Sequence, residues 1–279
     1  TLSKIKQALS DLATIGKHYA RKETSFFPLM TKYGITAPPQ VMWGVDDKIR
    51  RLIKEANNVV NENDVDPAKL RKIIDEVSHE VLEMIFKEEE IMVPMIDEVA
   101  SPADWGNVKE EEKQIGYTLI NPPMNWKPKE EPKTAGPLSV DHLSSLFINF
   151  KEGALNLEQL SAILDLLPFA LTFVDENDKV AYFGGGAAIF PHSKNAIGNS
   201  VFSCHTPESK PIVEKIFQDL HSGEKKVVTY WFKPKMLGRM LYLRYYAVHN
   251  KDGKYLGCLE VAEDITDIQK LSGQKKTEE

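Results

Sequence analysis

The stretch at residues 166–183, LLPFALTFVDENDKVAYF, constrains the fold of this chain more than any other because it predicts a β-hairpin. Residues 169–174 are apolar, aromatic or β-branched, as strands prefer, and residues 180–183 resume the same pattern. The polar residues 175–178 between them are turn formers that tolerate a positive φ. Pro168 ends the helix that precedes the hairpin. The sequence therefore predicts a β-sheet that begins here.

The segments around the hairpin predict the rest of this domain. A helix over residues 157–167 carries aliphatic residues at helical spacing, so its apolar side can pack on the sheet. The triple glycine at residues 184–186 is interpreted as a flexible bend. Thr206 and Pro207 are helix-start signals, and residues 208–220 continue as an amphipathic helix. Three further strands, which complete a five-stranded antiparallel sheet, are predicted at residues 225–232, 239–248 and 255–265.

This order of elements resembles a PAS domain over residues 157–266. Four motifs carry a closer resemblance: LPxxxTFVDEND from Leu167, IFPxS from Ile189, IGxxVxxCH from Ile197 and YLGxLEVxxDIT from Tyr255. They are similar to a prokaryotic family that joins a hemerythrin-like helical domain to a PAS domain of this type. The resemblance implies an α+β chain with a helical first domain and a sensory second domain.

The first part of the chain predicts an all-α domain. Amphipathic helical patterns cover about residues 2–30 and 41–61, with the prolines at residues 38–39 between them. A long helix is predicted from Pro67 to about residue 99, and Ser101 marks the start of a shorter helix. Since three long helices make an incomplete bundle, we expect a fourth before residue 1 or from a partner chain.

Proline content divides the chain into domains. Residues 121–137 hold five prolines and no periodic pattern, which predicts an extended linker.

Thr266 and Gln269 form a capping-box pattern that predicts a short C-terminal helix. The predicted plan is a hemerythrin-like bundle at residues 1–120, the linker at 121–137, a connecting segment at 138–156 and a PAS domain with a short C-terminal helix at 157–279.

The resemblance to hemerythrin-like domains rests on KExxFFP from Lys22 and KEExxMVP from Lys87. In a di-iron bundle, a histidine and a carboxylate three or four residues apart face the same interior point. Here the positions four residues before Glu23 and Glu89 hold Tyr19 and Ile85, and Asp46 stands where a neighbouring helix is expected to offer a histidine. We therefore expect no di-iron centre and assign no metal ligands.

Two other details of the helical domain bear on this expectation. His18 lies five residues before Glu23, so it is predicted to face away from the interior point. At least two of the three consecutive glutamates at residues 88–90 are expected to lie on a solvated turn of a helix.

Cys204 and His205 form the sharpest local feature of the second domain. They precede a predicted helix start, where the helix dipole and free N–H groups favour a thiolate or another anion. A ligand-binding role is one interpretation, and a nucleophile or a metal or haem ligand are others. A helix-entry turn with a buried thiol is the structural alternative.

Aromatic residues around one arginine suggest a ligand site on the predicted sheet. Trp231 and Tyr182 are candidate lining residues, and Arg244 is flanked by tyrosines. Such an arginine can anchor an anionic or planar ligand in a pocket between the helix at Pro207 and the strands. The alternative is an Arg244 side chain that pairs with a surface carboxylate.

Composition limits the partners and the compartment. The formal net charge is −6 and the pI is near 5.7, which excludes a general nucleic-acid binder because such a protein needs a basic surface. Cys204 and Cys258 are too few for a disulfide framework, and the sequence contains neither a secretory signal nor a long apolar span. We therefore expect a cytoplasmic protein that contacts neither nucleic acid nor membrane.

The predicted function is sensory or regulatory and not enzymatic. The PAS domain is expected to hold a small ligand in its cavity and to form a homodimer, while the helical bundle, with a degenerate metal site, acts as a second module. The sequence does not identify a cofactor. Two alternatives stay open: a di-iron protein that binds oxygen or performs redox chemistry, and a structural dimerisation module without a ligand.

Overall fold

The structure is a computed structural model that describes residues 2–120, 122, 126–127, 147–234, 237–274 and 276. Most of the predicted linker therefore lies outside the described residues. The described chain forms two compact units. The helical unit contains the N-terminal residues together with Pro191–Asn199 and Ser203–Lys210, and the sheet unit contains the remaining residues from the first strand onward.

The first helical segment contains a wider turn just before Pro28. It consists of α1 (Leu2–Ala13), α2 (Ile15–Arg21), a π-helical turn π1 (Lys22–Phe26) and α3 (Phe27–Lys32). Pro28 has no N–H to donate to the preceding turn, so the turn before it widens.

The second segment, α4 (Ala37–Val59), begins earlier than predicted. Pro38 and Pro39, expected to separate two helices, lie in the first turn of α4. Proline is tolerated there because the first N–H groups of a helix have no intrahelical partner.

The third and fourth segments start where the sequence predicts. They comprise α5 (Pro67–Lys87), a second π turn π2 (Glu88–Met92), α6 (Val93–Val99) and α7 (Pro102–Ile115). Asp66 caps α5 by accepting hydrogen bonds from the backbone N–H of Ala68 and Lys69, at 2.9 and 3.2 Å. Ser101 and Asp104 form a reciprocal capping box at α7. Both predicted helix starts are confirmed.

An apolar core joins these helices. Each fully buried aliphatic or aromatic side chain contributes about 1.5–3 kcal/mol to the free energy of unfolding. The core includes Leu9, Phe27, Met30, Ile49, Ile53, Val77, Met84 and Ile96.

The sheet unit opens with a small hairpin and one helix. Strands β1 (Phe147–Phe150) and β2 (Gly153–Asn156) pair antiparallel, and α8 (Leu157–Leu166) follows. Asn156 begins α8 with a capping box to Gln159. The sequence predicts that the apolar side of α8 packs on the sheet, but none of the residues of Leu157–Leu166 is buried. This helix lies more open than expected.

The predicted five-stranded antiparallel sheet is confirmed. Its strand order is β4-β3-β7-β6-β5 and every neighbouring pair is antiparallel. Helix α9 (Lys210–His221) lies between β4 and β5 in the sequence. The strands are β3 (Ala170–Asp175), β4 (Val180–Gly184), β5 (Val227–Phe232), β6 (Leu241–His249) and β7 (Tyr255–Asp264).

The hairpin between β3 and β4 has the turn that its residues predict. Asp178 has φ of 59°, and Asp175 Oδ1 accepts hydrogen bonds from the N–H groups of Asn177 and Lys179, each at 2.9 Å. The glycines after β4, however, are not a flexible bend. Gly185 has φ of 89°, and a Cβ at this position would collide with the carbonyl oxygen of Phe169. Close backbone packing therefore requires glycine there.

The five-stranded sheet has two different faces. On β6, Leu243 and Tyr245 are buried, while the alternate residues Tyr242 and Arg244 are half-buried. The strand register places Glu260 opposite Tyr245. We call the face with Leu243, Tyr245 and Glu260 the inner face, and the face with Tyr242 and Arg244 the outer face.

At the C-terminal end, the structure has a single turn where the sequence predicts a short helix. Ile268–Lys270 forms a single 3₁₀ turn. The hydroxyl of Thr266 accepts a hydrogen bond from the backbone N–H of Met240 at 2.8 Å. Because this side chain is used between strands, it does not act as the predicted helix cap. Residues 275 and 277–279 lie outside the described residues.

Candidate functional site

A buried lysine lies between two carboxylates in the helical unit. The Lys22 side chain is 1% exposed, and its Nζ lies 2.8 Å from Asp46 Oδ1 and 2.5 Å from Glu88 Oε1. Asp46 is fully buried and Glu88 is nearly so. We call Lys22, Asp46 and Glu88 the lysine cluster. An ammonium that donates to two buried carboxylates satisfies charges whose burial is otherwise costly.

The helix geometry explains how these residues meet. Lys22 is the first residue of π1 and Glu88 is the first residue of π2, while Asp46 lies within α4. Isolated π turns inside α-helices occur frequently at functional sites. The cluster thus joins three helical segments at the points where two of them depart from α geometry.

His18 also reaches the lysine cluster. Its Nε2 lies 2.7 Å from Glu88 Oε2. The sequence-based expectation that His18 faces away from the interior is wrong because it counted from Glu23. The inward position is Lys22, which is four residues after His18 and therefore on the same helix face.

The three consecutive glutamates divide as expected. Glu88 is buried, whereas Glu89 and Glu90 are exposed, so the prediction that at least two of them are solvated is confirmed. The resemblance pointed to Glu89 as the site position, but Glu88 occupies it. No periodicity in the run of glutamates distinguishes one from the next.

A second ion pair borders the cluster. Arg50 holds Glu23 with two hydrogen bonds of 2.7 and 2.9 Å, one to each carboxylate oxygen. The ring of buried Tyr19 lies 4.5 Å from Lys22 Nζ and 5.7 Å from the Arg50 guanidinium carbon. Two cations thus share one aromatic ring, an arrangement that stabilises buried positive charge.

The two carboxylates of the cluster differ in electrostatics. Burial raises the pKa of Asp46, although the Lys22 ammonium opposes this shift. Burial also raises the pKa of Glu88, but the hydrogen bond from His18 and the charge of Lys22 outweigh it, so the pKa of Glu88 is lowered. Glu88 therefore stays ionised because it has two partners.

The lysine cluster does not fit the metal centre that a hemerythrin resemblance implies. An ammonium has no lone pair to offer a metal, and Lys22 takes the space between the two carboxylates. Glu23 is held by Arg50. Within the part of the chain that the structure describes, no group of three or more histidine, cysteine, aspartate or glutamate side chains is arranged to hold a metal ion.

In the sheet unit, Arg244 has the carboxylate partner that the sequence left open. Its Nη2 donates a hydrogen bond of 2.7 Å to Glu263 Oε2, and its guanidinium carbon lies 4.9 Å from the Tyr242 ring. Trp231 pairs with Tyr242 across the strands and is 67% exposed, and Tyr182 on β4 is 37% exposed. The assignment of Arg244, Trp231 and Tyr182 to a ligand site stays a prediction.

Cys204 and His205 belong to the helical unit and not to the unit of Arg244. Burial raises the pKa of the Cys204 thiol to about 11, which favours the buried-thiol interpretation over a thiolate. Burial also lowers the pKa of His205, which favours a neutral imidazole. Their role as ligand-binding residues likewise stays a prediction.

Sequence reasoning missed Glu260, a carboxylate on the inner face of the sheet. It shares this face with buried Cys258 and Ala262. Tyr245 donates a hydrogen bond of 3.4 Å to its Oε1. Burial raises the pKa of Glu260 to about 7. The signal was present in the motif from Tyr255, since a glutamate alternates there with small apolar residues.

Comparisons with known proteins match both parts of the chain. The model of the hemerythrin HHE cation binding domain matches residues 2–96, and a PAS domain model matches residues 160–266. No curated protein matches the chain. Among the described residues, no helix combines the length and the apolar composition of a membrane-spanning segment.

Solved structures match parts of the chain. The C-terminal domain of a Streptococcus mutans protein is 31% identical, and the match covers 46% of this chain and 99% of that chain, with a TM-score of 0.44. A PAS domain from Colwellia psychrerythraea is 18% identical over 40% and 98%, with a TM-score of 0.31. A sensory box sensor histidine kinase from Vibrio cholerae is 21% identical over 38% and 90%, with a TM-score of 0.29.

The two family matches confirm the domain types that the motifs predicted. A PAS domain and a hemerythrin domain in one chain support a sensory role, since PAS domains usually bind small ligands and dimerise. The chain belongs to the family that joins a hemerythrin HHE domain to a PAS domain.

Proposed function

We propose that this chain is a cytoplasmic sensory or regulatory protein, not an enzyme, whose PAS domain binds a small ligand on the inner face of its sheet. The observation that carries the proposal is Glu260, an ionisable side chain placed among apolar residues on that face. In this proposal the helical domain is a second module that binds no metal, and the protein acts as a homodimer.

The chemistry of Glu260 indicates the class of ligand. Its carboxylate accepts hydrogen bonds, and a positive or N–H donor group beside it favours the ionised form. Since burial raises the pKa of Glu260 to about 7, a ligand with such a group stabilises the charged carboxylate at neutral pH. Tyr245 adds a hydroxyl at 3.4 Å from Glu260 Oε1. We expect a small amine or amidine, or a heterocycle with an N–H donor.

The outer face offers a different site. There, Arg244 with Trp231 and Tyr182 would bind an anionic or planar ligand, as the sequence predicts. Such a ligand has to compete with Glu263, which accepts a hydrogen bond from Arg244 at 2.7 Å. The two faces therefore select ligands of opposite charge, and this difference makes them distinguishable.

The test uses the intact chain and the small molecules that purify with it. Purified wild-type protein is denatured, and released small molecules are identified by mass spectrometry; binding of each candidate is then measured by calorimetry. Glu260→Gln keeps the shape of the side chain and removes its charge. We expect this variant to bind a cationic ligand about 10-fold or more weakly, because a charge-assisted hydrogen bond contributes about 1.5–3 kcal/mol.

Glu263→Gln is the matched control, since it lies on the same strand but on the outer face. We expect this variant to bind the ligand as tightly as the wild type. A ligand whose affinity falls in Arg244→Ala and not in Glu260→Gln would place the site on the outer face and contradict the inner-face proposal.

A second candidate function, a dimerisation module, is favoured by α8. Within Leu157–Leu166 no side chain is buried, and Ile163 and Leu166 are 45% and 81% exposed. We propose that a second copy of this chain covers them. Light scattering tests this: wild type is expected to be a dimer, Ile163→Glu with Leu166→Glu a monomer, and Glu158→Lys on the same helix a dimer. A monomeric wild type at high concentration would contradict dimerisation.

A further inference from the structure

In the lysine cluster, the ammonium group of Lys22 lies between two carboxylates, where a bound cation could lie. Asp46 comes from α4 and Glu88 from π2, and the Lys22 ammonium is within hydrogen-bond distance of both. Two carboxylates buried side by side require a positive charge between them. In a domain type named for cation binding, that charge is expected to be a metal ion. We infer that Lys22 takes the place of the metal in this HHE domain and excludes metal from it.

The contact distances agree with an ammonium in that place. Lys22 Nζ lies 2.5 and 2.8 Å from the two carboxylate oxygens, whereas a zinc ion is held at about 2.0–2.2 Å from oxygen ligands. An ion from solvent cannot easily replace the Lys22 ammonium, because the Lys22 side chain is 1% exposed. Its Nζ also faces the Tyr19 ring at 4.5 Å.

The remaining groups around Lys22 include side chains of types that bind metal ions. His18 Nε2 and Glu88 Oε2 are 2.7 Å apart, and imidazole and carboxylate are both zinc ligands. Among the described residues, Asp46 Oδ2 is buried without a hydrogen-bond partner. Removal of the lysine side chain therefore leaves Asp46 and Glu88 without their shared cation, with His18 Nε2 still 2.7 Å from Glu88 Oε2.

This arrangement has a consequence for the helical domain. The Lys22 cation lies beside the two buried carboxylates in every chain as soon as the chain folds, independent of metal supply. A domain of this kind supplies a stable structural module and not a redox or oxygen site. The inference is independent of the ligand proposal for the PAS domain, because it concerns the helical unit alone.

The test compares three lysine variants with Zn²⁺ as the probe. Lys22→Met removes the charge and keeps most of the volume, and Lys22→Ala removes both. Lys48→Ala is the control, since Lys48 also lies on the bundle and contacts two glutamates but is 36% exposed. We expect Tm to fall by about 10 °C or more in both Lys22 variants and by about 2 °C or less in the control.

The metal response separates the two Lys22 variants. We expect Zn²⁺ to raise the Tm of Lys22→Ala by about 5 °C or more and to bind it at about one ion per chain. Zn²⁺ should leave the Tm of Lys22→Met, Lys48→Ala and wild type within about 1 °C, because they offer no space or no new donors. A wild type that purifies with one metal ion per chain, or a Lys22→Ala variant that Zn²⁺ does not stabilise, would overturn the inference.

A further variant covers the case in which Lys22→Ala does not fold. Lys22→Met combined with Asp46→Asn and Glu88→Gln carries no charge in the cluster. If Lys22 acts as the balancing cation, this triple variant melts at a higher temperature than Lys22→Met alone. A triple variant that melts at the same or a lower temperature would show that the lysine acts through packing and would overturn the inference.

Discussion

The lysine cluster holds a buried glutamate and the inner face of the sheet a half-buried one, and the two sites treat the charge in opposite ways. Glu88 lies within 2.5–2.7 Å of Lys22 and His18, and its pKa is lowered. Glu260 has Tyr245 as its hydrogen-bond partner, and burial raises its pKa to about 7. Glu88, with Lys22 and His18 as partners, keeps its charge and is a structural element, whereas burial raises the pKa of its neighbour Asp46 in spite of Lys22. A carboxylate without such a cation is able to respond to a proton or a ligand.

The comparison also indicates where each unit can change. Among the described residues, no lysine, arginine or histidine forms an ion pair with Glu260, so an external group can supply the missing charge. The lysine cluster has no such need, because Lys22 is always present. We therefore expect ligand responses in the sheet unit and constancy in the helical unit, and the following measurements break or sharpen this contrast.

The largest effect is expected for Glu88→Gln. Loss of this charge leaves Lys22 buried with Asp46 alone, so the free energy of unfolding should fall by about 2–4 kcal/mol. Urea denaturation followed by circular dichroism at 222 nm measures the change. Glu89→Gln is the matched control, since Glu89 is adjacent and exposed, and should change stability by less than about 0.5 kcal/mol. Equal effects in both variants would contradict the role of Glu88.

Glu260→Gln should raise the free energy of unfolding at alkaline pH, whereas Glu88→Gln should lower it. Because the folded pKa of Glu260 is raised above its unfolded value, its contribution to stability is present below about pH 4.5 and is lost as pH rises towards 7. A neutral amide avoids this loss, so the variant should be more stable than wild type by about 1–3 kcal/mol at pH 8.

Thermal unfolding of Glu260→Gln and wild type at pH 5 and pH 8 measures this difference. The two proteins should approach each other at pH 5, where less of the unfolded-state carboxylate is ionised. Glu263→Gln should not show the gain at pH 8. A Glu260→Gln variant that is less stable than wild type at pH 8 would show that the carboxylate already has a partner.

The acid limb of stability should depend on Glu88. Its folded pKa is lowered, so its contribution is present above the unfolded value near 4.5 and is lost as pH falls through the folded pKa. Wild type should therefore lose stability below about pH 4 more steeply than Glu88→Gln, by about 1 kcal/mol. Denaturation midpoints between pH 3 and pH 5 measure the slopes, and parallel slopes would contradict the assignment.

The smallest effect is expected for Arg244 and Glu263 on the outer face. Their side chains are 21% and 18% exposed, so solvent screens the ion pair. A double-mutant cycle with Arg244→Ala and Glu263→Ala should give a coupling energy of about 0.5–1 kcal/mol. A coupling as large as the cost of Glu88→Gln would place this pair in the same class as the lysine cluster.

Sequence reasoning about the two sites succeeded only in part. It identified Asp46 as the residue at a ligand position, and Asp46 is fully buried in the lysine cluster. It placed His18 outside and did not include Lys22 and Glu88. It also considered Arg244 and not Glu260, although both lie on neighbouring strands. Each miss concerns the direction of a side chain, which one residue of offset reverses or rotates by about 100°.

The sequence by itself determined the elements that depend on near neighbours. The hairpin of β3 and β4, the five strands, and the helix starts at Pro67 and Ser101 follow from residues within about four positions of one another. Hydrogen bonds of caps and turns are local, so their partners are adjacent in the sequence. The two domain types followed from motifs of the same local kind.

Only the tertiary structure decided which charges meet. Lys22 and Glu88 are 66 residues apart, and their contact depends on the rotation of two helices that each contain a π turn. Thr266, which has the local pattern of a helix cap, instead accepts a hydrogen bond from Met240, 26 residues away. Such pairings are set by how whole elements pack. Packing sums many weak contacts that no short stretch of sequence contains.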